Sequence, residues 1–112
     1  MGEKSKAFAI RIVRACQYLQ REKKEFTLSN QLLRSGTSIG ANLAEADYAF
    51  SHKDFLSKLY IALKEAAETV FWLELLLETD YFTKEQCESL CNDAEELLKM
   101  LTAATKTAKA KN

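Results

Sequence analysis

An all-α fold is the class this chain predicts, and three observations predict it. The 112 residues contain no proline and only three glycines, the two residue types least at home in a helix interior. Apolar side chains recur at intervals of three and four along most of the chain, the period of helices that bury one face. Helix-start signals at Thr27, Ser51 and Thr83 divide that pattern into four segments. Hydrophobic residues make up 47% and charged residues 29%, an ordinary globular composition, so one domain over residues 1–112 is expected. Four helices with short connections give an up-down-up-down antiparallel four-helix bundle.

The first helix is expected over about residues 4–24, with Phe8, Ile12, Ala15, Cys16 and Leu19 on one face and Arg11, Arg14 and Arg21 projecting elsewhere. A second, about 28–49, begins at a Thr27 cap and carries Leu28, Leu32, Leu33, Ile39 and Leu43 inward. Gly36 and Gly40 lie inside it. Each costs about 1 kcal/mol against Ala there, so both are expected to permit a close helix approach or a bend. Ser51 followed by Asp54 starts the third helix, about 53–78, and Thr83 followed by Gln86 starts the fourth, about 84–105. Residues 106–112, with their lysines, are expected to form a frayed tail.

The third helix is apolar nearly all round, since Tyr60, Phe71 and Trp72 widen a stripe built from Leu59, Ala62, Ala66, Leu73 and Leu76. A helix of that kind needs burial on more than one side. Either the first two helices cover these aromatics, or Tyr60, Phe71 and Trp72 form a subunit interface in a homo-oligomer.

Charge is balanced at 16 basic and 16 acidic residues, but unevenly. Residues 1–34 hold eight basic and three acidic side chains, a net of +5, which leaves −5 for the remainder. Arg11, Arg14, Arg21, Lys24 and Arg34 are therefore candidate contacts to the phosphates of structured RNA or other nucleic acid. A solvated helix face is the plain alternative. Three cysteines, an odd number without a secretory leader before them, point to reduced thiols and a cytoplasmic protein. No apolar run approaches the roughly 20 residues that span a bilayer.

Arg34, Ser38, Asn42 and Glu45 follow spacings of four, four and three, which lines them up on one side of the second helix. With Glu68, they read as a polar network fixing helix register, or as a polar site for a ligand with Arg34 as its anion contact. Glu65 and Glu68 invite a metal or acid–base reading, but the histidines a di-iron bundle needs are missing, and His52 is expected to be solvated at a helix start. Cys87 and Cys91 lack the second pair that zinc requires. No catalytic group, metal or cofactor is expected, and no enzymatic activity.

The segment Arg34-Ser-Gly-Thr-Ser-Ile-Gly-Ala-Asn-Leu-Ala-Glu-Ala46, with Lys53-Asp-Phe55 and Ala62-Leu-Lys-Glu-Ala-Ala-Glu68 downstream, resembles the bacterial four-helix-bundle family of the 23S rRNA intervening-sequence proteins. The resemblance spans about residues 5–105. It implies the bundle and, from related ring-shaped bundles, a homopentamer. Related accessory proteins of diversity-generating retroelements are basic pentamers that bind nucleic acid and a reverse transcriptase. From this the chain is expected to be a non-enzymatic nucleic-acid binder, with a scaffold for a protein partner as the alternative. Ala46 and Lys64-Glu65 depart from the family's commoner Gly and Gly-Ser.

Overall fold

A computed structural model describes residues 1–111. Those residues form four helices, with no strand among them: α1 (Gly2–Glu22), α2 (Thr27–Ala46), α3 (His52–Glu78) and α4 (Lys84–Ala110). The bundle measures 47 × 20 × 20 Å, its length close to the roughly 40 Å of a 27-residue helix. Each helix packs against two others: α1 against α2 and α4, α3 against α2 and α4.

The core follows the spacing of the sequence. Phe8, Ile12, Cys16 and Leu19 of α1 meet Leu32, Ile39 and Leu43 of α2. Leu59, Ala62, Ala66, Leu73 and Leu76 of α3 and Cys87, Leu90, Ala94, Leu97 and Leu101 of α4 complete it. A fully buried Leu, Ile or Phe here contributes about 1.5–3 kcal/mol of burial. Gly36 lets α1 approach closely, since a Cβ at that position would lie 2.8 Å from Cγ1 and Cγ2 of the fully buried Ile12.

Two helix starts match the sequence signals. Thr83 and Gln86 form a reciprocal capping box, and Ser51 Oγ accepts from the Asp54 amide at 3.0 Å. The start of α2 differs. Thr27 is already helical and caps nothing, while the Glu25 carboxylate accepts the amides of Leu28 at 3.0 Å and Ser29 at 2.7 Å. Lys24, at φ 53°, turns the chain so that Glu25 can fold back over that end. The α3–α4 connection turns on Asp80 at φ 67°, whose amide bonds Leu77 O while the Tyr81 amide bonds Leu76 O, a Schellman closure without its usual glycine.

The expected frayed tail is also corrected. α4 continues to Ala110, with Thr105 and Ala108 buried, and His52 Nε2 lies 2.8 Å from Ala108 O. Small residues suffice to pack these last turns, so the thinning of large apolar side chains does not mark the end of the helix. His52 is accordingly tied to α4 rather than merely solvated, and its ring stacks on Phe55 at 6.4 Å. Asn112 lies outside the described residues.

Candidate nucleic-acid interface

The five candidate cations divide into three groups. Arg11 reaches across to α4, where its guanidinium pairs with Asp93 and donates to Ser89 Oγ at 3.1 Å. Lys4, two turns earlier, pairs with Glu96. This edge of α1 is neutralised by the acids of α4. Arg14, Arg21 and Lys24 are exposed and form no ion pair among the described residues.

Arg34 is the third case. Its guanidinium bonds Glu65 Oε2 at 3.0 Å, pairs with Glu68 and bonds Gln31 Oε1 at 3.2–3.3 Å. Glu68 Oε2 also accepts from Trp72 Nε1 at 2.8 Å. Two carboxylates around one guanidinium make the cluster net negative, so an incoming phosphate would meet repulsion where the sequence led us to expect an anion contact. Glu65 and Glu68 are likewise occupied by Arg34 rather than poised for a metal.

The expected polar stripe separates into independent pieces. Asn42 Nδ2 bonds Ser38 O at 2.9 Å and Ser38 Oγ at 3.0 Å, both within α2. Glu45 pairs with Lys58 of α3 at 3.0 Å, and that hydrogen bond raises the Lys58 pKa. Of the stripe, Arg34 alone meets Glu68 among the described residues. Ser35 and Thr69, hydroxyls that the periodicity did not single out, form the buried α2–α3 hydrogen bond at 3.0 Å. Spacing along one helix finds neighbours on that helix and is blind to such partners 34 residues away.

All three cysteines are free thiols. Cys16 Sγ donates to Ser29 O at 3.3 Å, and burial, reinforced by Glu25, pushes its pKa up to about 12. Burial and its Cys87 partner, at an Sγ–Sγ distance of 2.7 Å, raise Cys91 to about 12 as well. Both stay protonated at neutral pH, which makes them poor nucleophiles. No helix among the described residues is long and apolar enough to cross a membrane.

Tyr60 and Phe71 lie on the outside of α3, 36% and 54% exposed, while Trp72 is half-buried and stands edge-on to Phe71 at 5.0 Å. The α2–α3 connection carries Tyr48 and Phe50, 89% and 91% exposed.

Helix order, the buried stripes and the α2–α3 polar pairs define a small all-α four-helix protein. The sequence profile of the 23S rRNA-intervening sequence proteins matches residues 1–103, and the chain belongs to that family. A solved structure, a protein of unknown function from the S23 ribosomal protein family of Bacteroides thetaiotaomicron VPI-5482, is 55% identical. The match covers 94% of this chain and 97% of that one, with a TM-score of 0.92. No curated protein matches significantly.

Proposed function

We propose that the chain is a non-enzymatic, cytoplasmic, homo-oligomeric bundle that binds structured RNA or another nucleic acid through the outer face of α1 and the turn that follows it. The observation that carries this reading is the trio Arg14, Arg21 and Lys24, exposed and free of ion-pair partners among the described residues. Phosphates recruit such cations and release condensed counter-ions, giving affinity that falls linearly in log salt. Arg11 and Arg34, held by acids, drop out of the phosphate contacts.

Within this reading the topology is up-down-up-down and antiparallel, supported by pairings that descend one helix as they climb the next. Gln20 meets Ser29 and the site of Gly40 meets Ser5; Ser35 meets Thr69 and Glu45 meets Lys58. Tyr60, Phe71 and Trp72 supply the subunit contact, and five is the ring size of the related bundles. Repeating one modest cationic face around a ring multiplies avidity.

The test is binding of a structured RNA and of a DNA duplex across a salt series, with Arg14→Glu combined with Arg21→Glu. The expected result is a loss of roughly tenfold or more at low salt and a shallower salt slope, with helicity intact. Unchanged affinity and slope would refute the assignment.

A protein-scaffold reading is favoured by Tyr48 and Phe50. They border a shallow hollow with Glu45, Asp54 and Lys58, a setting better suited to a basic peptide segment than to phosphate. A stoichiometric partner that survives nuclease treatment and is lost on Phe50→Ala would support it.

A further inference from the structure

Two faces of the chain complement one another. On α3, Tyr60 and Phe71 form a ridge, eleven residues and so about 16 Å apart along the outer surface. The edge contact with Trp72 steadies the Phe71 ring. Between α1 and α2, over Phe55 and Leu59 of α3, lies a groove of about 480 Å³ whose walls include the small residues Ser5, Ala9, Gly40, Ala41 and Ala44. Val13, 37% exposed and one turn beyond Ala9, continues its apolar lip along α1.

The heights agree as well as the shapes. The Glu45–Lys58 pair and the Ser35–Thr69 bond set Tyr60 level with Ala44 and Phe71 level with Leu33. Ser5 beside Gly40 and Ile12 beside Gly36 place α1 on the same scale. In an assembly of copies standing side by side in one direction, Tyr60 of one is therefore level with the groove of the next. Charge agrees too. Glu74 and Glu78 continue the α3 ridge and form no ion pair among the described residues. The cationic end of α1 lies at the same end of the bundle, as the Tyr18–Phe82 ring contact at 6.3 Å requires.

We infer that the α3 ridge of one copy seats in the α1–α2 groove of a second copy, with Tyr60 entering beside Ala41 and Ala44, and Glu74 and Glu78 facing Lys24, which in the assembled ring leaves Arg14 and Arg21 to meet phosphate. The inference rests on the self-association proposed above and specifies its geometry. Ridge and groove are different surfaces, so the contact is head-to-tail and leaves one of each unfilled until a ring closes. Arg14, one residue beyond Val13, projects about 100° further round α1, which keeps it clear of the groove.

The experiment measures solution mass for the wild type, for Phe71→Glu and for Ala41→Glu, both exposed positions, and for an equimolar mixture of the two variants. Circular dichroism checks that each variant is helical, with Phe71→Ala and Ala41→Gln as milder substitutes where it is not. The expected result is an oligomeric wild type, two monomeric variants and a heterodimer in the mixture, because one intact ridge then meets one intact groove. A monomeric wild type overturns the self-association reading itself. An oligomeric wild type that Ala41→Glu leaves unchanged, or variants that do not pair on mixing, overturns the ridge-in-groove contact alone.

Discussion

Replacing Gly36 and Gly40 by alanine should move stability in opposite directions. Taken as helix interiors alone, both substitutions gain about 1 kcal/mol. At Gly40 the new methyl meets Ser5 Oγ at 3.4 Å and Ser5 O at 3.5 Å, ordinary contact, so about 0.5–1 kcal/mol of that gain should survive. At Gly36 it meets two branch carbons of Ile12 at 2.8 Å, against a normal separation of about 3.5–4.0 Å. Ile12 is fully buried and has nowhere to rotate. Overpacking of this kind costs about 1–3 kcal/mol, which cancels or exceeds the propensity gain and leaves Gly36→Ala up to about 2 kcal/mol less stable than wild type. Urea denaturation followed by far-UV circular dichroism, at one protein concentration, measures both. A double variant with Ile12→Ala should recover at least about 1 kcal/mol relative to the sum of the single changes, because the added methyl then occupies vacated space. If Gly36→Ala stabilises as much as Gly40→Ala, the close approach of α1 and α2 at Ile12 is wrong.

Three further outcomes are expected. Asp80→Gly should stabilise by about 1 kcal/mol, because glycine occupies the left-handed conformation at φ 67° without steric cost, and denaturation midpoints will show it. Glu25→Ala should cost about 1–2 kcal/mol by uncovering the amides of Leu28 and Ser29, whereas Thr27→Ala, the substitution at the apparent cap, should cost far less. Stability should decline as pH rises from about 9 towards about 12. Cys16 holds its proton in the folded state up to about 12 against an ordinary 9.0, so its contribution is complete below the unfolded value and is lost as the folded thiol ionises. Cys16→Ala should flatten that decline, and equal slopes for the two proteins would count against the burial argument.

The helices were legible because their causes are local. Apolar period, the Thr83–Gln86 pair and Ser51 act within one turn, and they set the starts of α3 and α4 to within a residue. The α2 start was not legible, since Glu25 caps only once Lys24 has adopted a left-handed turn that no lysine advertises. The last turns of α4 carry no such local signal, because Thr105 and Ala108 look too small to anchor a helix, although both are buried there and Ala108 O meets His52 at the start of α3. The candidate site was the least legible part. Arg11, Arg14 and Arg34 are equivalent in sequence, and what separates them is the presence or absence of carboxylates on other helices.

The seam between α1 and α4 is the most thinly packed of the four. Lys4–Glu96 and Arg11–Asp93 bridge it with half-exposed charges, whereas the Arg34–Glu65, Arg34–Glu68 and Glu45–Lys58 pairs between α2 and α3 flank a close-packed seam that also holds the buried Ser35–Thr69 bond. Salt screens such exposed pairs over about 10 Å at 0.1 M, while it leaves the packed seams largely alone. Ionic strength therefore sets how readily α1 lifts from α4 on its short tether to α2, and amide exchange along α1 should quicken with salt before exchange in α3 responds. The helix proposed to meet a polyanion is thus the one whose own attachment the surrounding ions loosen.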